Sequence, residues 1–270
     1  MKAFNFSEND LLLNYVPSGF TELDKITGGW LRGNLIMIAA PFRMGKTAFA
    51  LSIMHNNLLL ENSSVIWFST FLSKNQFTRM FISHYAEIKI EEINLGKIDQ
   101  KLISEINEVF ITHDFYFYDN PNLNVKKINQ ILAAFNTDNL PDFIIIDNLN
   151  YFELNTSEKM TTEKNTNKKL IELKAIARRF NIPVLVLYDC NFQVSKTSEF
   201  CTQFVKLKFN RYLIDTLCYI YRPEFFRIVE NEVGESTLGK AFFIIAQNRG
   251  KTGSVLFKYI PQFFKFNECL

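Results

Sequence analysis

The residues best suited to chemistry in this sequence lie between an apolar segment and a segment with helical spacing. Residues Ala40 to Thr47 fit the pattern G-x-x-x-x-G-K-[ST], with alanine at the first glycine. In such a loop, backbone N–H groups bind phosphate oxygens, the lysine reaches the terminal phosphates and the hydroxyl binds Mg2+. The sequence therefore predicts a nucleoside triphosphate site. Its predicted binding residues are Ala40, Pro41, Phe42, Arg43, Met44, Gly45, Lys46, Thr47 and Ala48.

A carboxylate follows a second apolar segment, in Asp142-Phe143-Ile144-Ile145-Ile146-Asp147. The carboxyl ends of strands line the ligand crevice in a nucleotide-binding sheet, and the acid that holds the Mg2+ shell stands there. An acid at this position can also be an ordinary helix cap. The phosphate-binding pattern upstream favours the metal role, so Thr47 and Asp147 are the predicted Mg2+ ligands.

The elements that must position these residues alternate between strands and helices, which predicts an α/β fold with a mostly parallel sheet covered on both faces. Turn chemistry is predicted at Gly28–Gly33, and antiparallel strands in the C-terminal third. Helices are predicted after the loop from Ala48 to Leu58 and over Lys74–Ala86, Asp99–Phe110, Val125–Phe135 and Thr162–Phe180. Strands are predicted over Ser64–Ser69, Phe115–Tyr118, Asp142–Asp147 and Pro183–Leu187.

Composition limits the possible classes of protein. The 270 residues, 47% of them hydrophobic, can bury a large core and predict one domain over residues 16–270 after an arm of residues 1–15. No apolar run reaches the ~18 residues of a membrane span, and no signal sequence is recognisable, so a cytoplasmic location without membrane contact is expected. The four cysteines lack metal-ligand spacing and are expected to be reduced. A net charge of +2 gives no general case for nucleic-acid binding but allows a local basic channel.

Several segments together resemble a known family over nearly the whole chain. Residues 16–29 and the segment Met44–Leu51 resemble the RecA-like motor domain of DnaB-type replicative DNA helicases. Ile145–Leu149 is similar to the family's Walker B strand, and Ala246–Gly253 to its arginine-bearing segment. Recombinase and clock-protein relatives of the same superfamily also fit the N-terminal block, whereas the Met-Gly-Lys-Thr-Ala form and the C-terminal segment favour the helicases.

The resemblance implies a RecA-like P-loop NTPase fold that binds ATP and Mg2+. It also implies single-stranded DNA as a partner, a homo-oligomeric ring such as a hexamer, and contacts with replisome proteins. The residues to which it assigns catalysis are Lys46, Asp147 and Arg249, the last acting in trans on a neighbouring subunit.

The sequence departs from the family pattern at positions where the family has residues that take part in catalysis. Phe71 stands where the family has the glutamate that activates the attacking water, and Gln247 where it has the lysine of its trans-acting pair. Phe192 replaces the family's arginine, and Asp189 replaces its γ-phosphate-sensing glutamine. A positioned base accounts for about 100- to 10,000-fold in rate, so hydrolysis is expected to be slow unless another group substitutes. Asp189 is the candidate substitute, although acids at strand ends more often cap or coordinate.

Two functional classes stay open from the sequence. The first is an ATP-dependent helicase or translocase, with the loops after Asp147 and Asp189 facing single-stranded DNA. The second is a nucleotide-binding pseudo-enzyme that serves as a regulatory or assembly partner in DNA replication, which the absence of the glutamate favours. The cations that could contact DNA phosphates, or could equally form a solvated surface, are Lys159, Lys164, Lys168, Lys169, Lys196, Lys206, Lys208 and Arg211.

Overall fold

A mixed sheet of nine strands forms the centre of the fold. The structure is a computed structural model and describes residues 14–136, 139–154, 160–191 and 207–269. A separate two-stranded sheet lies near the N-terminus. The described strands are β1 (Tyr15–Val16), β2 (Trp30–Leu31), β3 (Leu35–Ala40), β4 (Val65–Ser69), β5 (Phe115–Asp119), β6 (Phe143–Asp147), β7 (Val184–Asp189), β8 (Thr216–Tyr221), β9 (Lys240–Gln247), β10 (Gly253–Ile260) and β11 (Lys265–Glu268).

The described helices connect these strands. They are α1 (Thr21–Thr27), α2 (Lys46–Leu59), α3 (Lys74–Ala86), α4 (Ile90–Asn94), α5 (Gln100–Thr112), α6 (Val125–Ala133) and α7 (Thr162–Phe180). The predicted bounds of α3 and α7 are correct. Both helices begin after a residue whose hydroxyl accepts a backbone N–H, Ser73 for α3 and Thr161 for α7, which is the capping chemistry that fixes a helix start. Helices α1 and α4 were not predicted, because 7 and 5 residues are too few to show a helical period.

The order of the large sheet is β11-β10-β9-β8-β3-β7-β6-β4-β5. Strand β3 pairs in parallel with β7 and β8, and β6 pairs in parallel with β7 and β4. Every residue of β3 is buried, as expected for an apolar strand covered on both faces. Since parallel strands end at one edge, Ala40, Asp189, Asp147 and Ser69 meet there. The strands that end in Asp147 and Asp189 are direct neighbours in the sheet.

The C-terminal strands reverse direction, as predicted. Strand β9 is antiparallel to β8, with Gln247 opposite Leu217, and β10 is antiparallel to both β9 and β11. The apolar run from Val255 to Phe266 does not form one strand, because a 3-10 turn at Pro261–Phe263 and left-handed backbone at Phe264 separate β10 from β11. This reversal places the end of β9 at the edge opposite to the phosphate-binding loop.

Aromatic packing fixes helix α2 against the antiparallel strands. The Phe49 ring stacks on Phe243 at 4.3 Å and meets Phe257 and Phe266 edge-on at 5.2 and 5.1 Å. Burial of one such side chain stabilises a fold by about 1.5–3 kcal/mol. The many phenylalanines of this region therefore act as core residues that hold the first turn of α2 in place.

The N-terminal region corrects part of the predicted turn. Within Gly28–Gly33, Trp30 and Leu31 form β2 and pair with Val16 and Tyr15. Residues 1–13 of the predicted arm lie outside the described residues. None of the described helices is long and apolar enough to span a membrane. Among the described cysteines, Cys190, Cys218 and Cys269 are free thiols, and Cys201 lies outside the described residues.

Candidate nucleotide-binding site

The predicted phosphate-binding segment forms a tight connection between β3, which ends at Ala40, and α2, which begins at Lys46. Gly45 precedes the helix with φ of 105°, a conformation that residues with a side chain rarely adopt. A Cβ at this position would lie 2.9 Å from Cζ of Phe266. The backbone conformation and the lack of space for a Cβ both require glycine here. The short connection places the N-terminus of α2, with its free backbone N–H groups, at the carboxyl edge of the sheet.

Lys46 is buried beneath this loop. Its Nζ donates to the carbonyl oxygens of Ala40 and Pro41, each at 2.9 Å, and lies 2.7 Å from Oδ1 of Asp189. An ammonium group has three donors. All three therefore have acceptors within the protein, and one of these acceptors is charged.

Thr47 and Asp147 meet as the Mg2+ prediction requires. Thr47 Oγ1 donates to Asp147 Oδ2 at 2.9 Å. Burial raises the pKa of Asp147 to about 6, and the negative charge of Asp189 contributes, while the Thr47 hydrogen bond and the Lys46 charge oppose the shift. A hydroxyl and a carboxylate side by side fit the oxygen-donor chemistry of Mg2+, which binds through one or two carboxylates plus substrate phosphates. These residues fit the ion that the family resemblance implies.

Two asparagines that sequence reasoning missed hold Asp189. Asn148 Nδ2 donates to Asp189 Oδ2 at 2.7 Å. Asn150 binds the backbone of Asp189 twice, accepting from its N–H at 2.8 Å and donating to its carbonyl at 3.1 Å. The only sequence signal for both is their position directly after the strand that ends at Asp147. The predicted water-orienting role of Asp189 stays a prediction, and both of its carboxylate oxygens have partners.

Phe71 lines the cavity beside the loop, which has a volume of about 370 Å3. Its side chain is 61% exposed and stacks on Tyr151, with ring centroids 5.9 Å apart and planes at 21°. Among the described residues that line this cavity, the carboxylates are Asp147 and Asp189 alone. The position where the family resemblance expects a glutamate therefore presents an aromatic surface.

The outer part of the loop also carries an aromatic ring. Phe42 is 58% exposed, and the Arg43 guanidinium lies 5.6 Å from its ring centroid. Arg43 adopts left-handed backbone with φ of 65°, and its carbonyl accepts from Arg222 at 3.4 Å. Tyr259, which packs next to Gly45 of the loop, lies under the Arg222 guanidinium, with its ring centroid at 4.3 Å. The side chains of Met44 and Ala48 are buried, and the predicted ligand contacts of these two residues, which would use backbone N–H groups, stay predictions.

Arg249 lies at the other edge of the sheet. It follows β9, whose end pairs with the start of β8, whereas the loop follows the end of β3. The six residues of β3 separate the two edges by roughly 20 Å at ~3.3 Å per residue. Arg249 is thus positioned away from the loop of its own chain.

Asp215, another residue that sequence reasoning missed, holds Arg249 at this edge. Arg249 Nη2 donates to Asp215 Oδ1 at 2.9 Å, and Asp215 also binds Lys174 and the backbone N–H of Leu35. Burial raises the pKa of Asp215, but the three donors outweigh it, and the net pKa lies below the usual range. Gln247, which stands at the position of the family's lysine, donates to the Ile214 carbonyl at 2.7 Å.

Comparison with known proteins agrees with this geometry. The family described as DnaB-like helicase C terminal domain matches residues 15–268. The chain belongs to this family. The replicative DNA helicase DnaB of Geobacillus stearothermophilus is 25% identical over 257 residues, which cover 93% of this chain and 56% of the relative. A probable replicative DNA helicase of Trieres chinensis is 27% identical over 266 residues, covering 94% and 57% respectively. The chain spans about 56% of the length of these curated relatives.

Solved structures show the RecA-like fold of the DnaB-like domain. A DnaB-like replicative helicase, solved in a study of its interactions with primase, superposes with a TM-score of 0.78 at 23% identity, covering 94% of this chain and 62% of that chain. A second solved structure, of an ATPase domain, superposes with a TM-score of 0.77 at 21% identity, covering 96% of this chain and 92% of that chain. The predicted α/β architecture, with its parallel core and antiparallel C-terminal strands, is therefore confirmed.

The cations predicted to contact DNA do not all lie on the surface of the DnaB-like domain. Lys169 is buried and donates to the carbonyl of Leu149 at 3.2 Å, and burial lowers its pKa. Its prediction as a phosphate contact or as a solvated lysine is wrong, because a helical period cannot tell which face of α7 packs against the turn after β6. Lys164, Lys208 and Arg211 are exposed and Lys168 is half-buried. The predicted cations Lys159, Lys196 and Lys206, and also Phe192, lie outside the described residues.

Proposed function

We propose that this DnaB-like domain binds ATP with Mg2+ and couples its hydrolysis to movement along, or unwinding of, DNA as a subunit of a homo-oligomeric ring. The observation that carries the proposal is the convergence of Lys46, Thr47 and Asp147 at one edge of the sheet, from segments that are distant in sequence. In this arrangement the helix N-terminus and Lys46 face a cavity large enough for phosphates. Family membership supports the coupling to DNA.

In the proposed site, Thr47 and Asp147 hold Mg2+, which when bound neutralises charge on the phosphate oxygens. Lys46 binds the terminal phosphates and has to exchange its contact with Asp189 to do so. Arg249 enters the site of the next subunit. Support for that last role comes from its position at the opposite edge of the sheet and from its anchoring by Asp215. An arginine supplied in this way contributes about 1,000- to 100,000-fold to hydrolysis where one is used.

Single-stranded DNA, a hexameric ring and replisome proteins are the proposed partners. For DNA, the exposed cations Lys164 and Lys208 lie close in sequence to the segments that follow Asp147 and Asp189 and are free to contact a phosphate backbone, whereas Arg211 hydrogen-bonds Gln247 Oε1 at 2.8 Å. A related helicase has been solved in a study of its interactions with primase, which makes a replisome protein a reasonable partner here. The proposed location is the cytoplasm.

One observation favours a second function. Phe71 occupies the position of the activating glutamate and offers no group that can accept a proton. A domain that binds ATP but hydrolyses it poorly could serve as a nucleotide-held regulatory or assembly partner in replication. Lys46, Thr47 and Asp147 support this function as well as the first, since ground-state binding does not need the glutamate.

Steady-state ATP hydrolysis by the full chain, with and without single-stranded DNA, tests the proposal. The expected result is turnover that DNA stimulates and that Lys46→Ala abolishes. Nucleotide binding in a parallel titration without any turnover would overturn the motor function and leave the nucleotide-held partner. If the Lys46→Ala protein retained full nucleotide affinity, binding at this loop would itself be refuted.

A further inference from the structure

The contact between Lys46 and Asp189 is an internal ion pair at the place where the terminal phosphates would bind. Asp189 Oδ1 lies 2.7 Å from Lys46 Nζ, with side-chain exposures of 22% for Asp189 and 7% for Lys46. The lysine of a phosphate-binding loop is a point charge that binds terminal phosphate oxygens. Here that charge is already paired with the Asp189 carboxylate. Like a phosphate oxygen, this carboxylate is negative and accepts hydrogen bonds.

The position of Asp189 is fixed independently of Lys46. Asn148 Nδ2 binds its other carboxylate oxygen at 2.7 Å, and Asn150 binds its backbone N–H and carbonyl. When a phosphate enters and Lys46 changes partner, the Asn148 hydrogen bond still holds the carboxylate and the two Asn150 hydrogen bonds still hold the backbone of Asp189. Its charge therefore stays close to the entering phosphate even after Lys46 has changed partner.

We propose that Asp189 is a specificity-determining residue that competes with the terminal phosphate of the nucleotide for Lys46 and thereby weakens triphosphate binding more than diphosphate binding. Two physical effects act in the same direction. Binding a phosphate on Lys46 breaks a charge-assisted contact in a buried site, and it brings two negative charges together where water screens them poorly. A triphosphate carries one more phosphate towards this region than a diphosphate does, so it meets a larger penalty. This inference rests on the proposed nucleotide binding.

Removal of the charge at residue 189 should therefore tighten binding. Asp189→Asn retains an oxygen that can accept from Asn148, and the two backbone hydrogen bonds with Asn150 do not depend on the side chain. Asp189→Ser removes the same charge with a smaller side chain and serves as a second variant. The matched control is Asp119→Asn, which removes a carboxylate from the end of another parallel strand, where it accepts from the backbone N–H of Lys74 and does not line the cavity.

The test is an equilibrium titration of each full-length protein with Mg-ATP and with Mg-ADP. In Asp189→Asn and Asp189→Ser we expect affinity for Mg-ATP to rise about tenfold or more, affinity for Mg-ADP to rise less, and Asp119→Asn to match the wild type. Thermal unfolding supplies an independent readout. Without nucleotide, loss of the counter-ion of buried Lys46 should lower the Tm of the Asp189 variants, and saturating Mg-ATP should raise their Tm by a larger increment than in the wild type.

The outcomes separate this inference from the proposed function. If folded Asp189 variants bind Mg-ATP equally or more weakly than the wild type, or gain equally for both nucleotides, the competitor role of Asp189 is overturned while nucleotide binding stands. If neither the wild type nor the variants bind nucleotide, both proposals fail. Tighter binding by the variants without any hydrolysis supports the role of Asp189 and refutes only the motor function.

Discussion

Thr47 Oγ1 lies 2.9 Å from Asp147 Oδ2, although the two residues are 100 positions apart in the sequence. Thr47 belongs to the first turn of α2, and Asp147 ends β6, two strands away from β3 in the sheet. Their meeting depends on the parallel order β3-β7-β6, because that order brings all three strand ends to one edge. The pair is the geometric basis for the proposed Mg2+ site.

Thr47→Ala should lower the affinity for Mg-ATP about 10- to 100-fold, since it removes an oxygen donor next to a charged group. Thr47→Ser retains the hydroxyl and should stay close to the wild type. The measurement is a nucleotide titration with Mg2+ and with EDTA. The effect of Thr47→Ala should largely disappear in EDTA. An equal loss of affinity with and without Mg2+ would show that Thr47 acts through the loop and not through the ion.

Phe71→Glu should raise the ATP turnover number about 100-fold or more, because it places a general base on the wall of the cavity. Phe71 is 61% exposed, so the substitution should cost little stability. Phe71→Gln has nearly the same size as the glutamate variant but cannot accept a proton, and it provides the matched control. Equal rates for Phe71→Glu and Phe71→Gln would show that another group already performs this step.

Arg249 and Lys46 should complement each other between subunits. Each of the variants Lys46→Ala and Arg249→Ala should lose about 1,000-fold or more of the ATPase rate alone. A mixture should regain activity, because some sites then combine an intact loop from one chain with an intact Arg249 from another. The measurement is ATP turnover against mixing ratio. A mixture no more active than its components would place Arg249 in its own chain's chemistry or outside it.

Stability should fall as the solution is acidified from about pH 6.5 to pH 4. Burial lowers the pKa of both His55 and His84 to about 4, and their rings lie 4.9 Å apart. Unfolded histidines take up protons below about 6.5 whereas these two stay neutral until about 4, so the unfolded state gains protons first. A pKa shift of this size corresponds to a loss of roughly 3 kcal/mol in the free energy of unfolding for one histidine, once the pH has fallen below both pKa values.

Chemical denaturation at pH 7.5 and pH 5 measures this loss, and His55→Leu should reduce it. His113→Gln, which changes a half-buried histidine that contacts Asn62 and lies away from the pair, is the control and should keep the full pH dependence. Asp147 acts in the opposite direction, because its raised pKa of about 6 lets the folded state take up a proton first and adds stability as the pH falls through 6. Unchanged pH dependence in His55→Leu would contradict the assignment to the histidine pair.

Much of the fold could be read from local patterns. The bounds of α3 and α7, the buried strands around Ile38, Ile145 and Val186, and the glycine-lysine-threonine loop follow from capping residues, apolar periods and turn chemistry, which are local in sequence. The short elements β1, β2, α1 and α4 were missed because two to seven residues are too few to show a hydrophobic periodicity. The burial of Lys169 was also missed, since only the turn packed against α7 determines which of its lysines is covered.

The sequence by itself determined which family the chain resembles and which residues are predicted to bind phosphate and metal, because both depend on residue type and short spacing. Only the tertiary structure decided which side chains contact one another at the site. It ion-paired Lys46 with Asp189, surrounded Asp189 with Asn148 and Asn150, and fixed Arg249 to Asp215 at the far edge of the sheet. The reason is that strand order and direction bring distant segments together, and charges as far apart in sequence as Lys46 and Asp189 interact only once the sheet has formed.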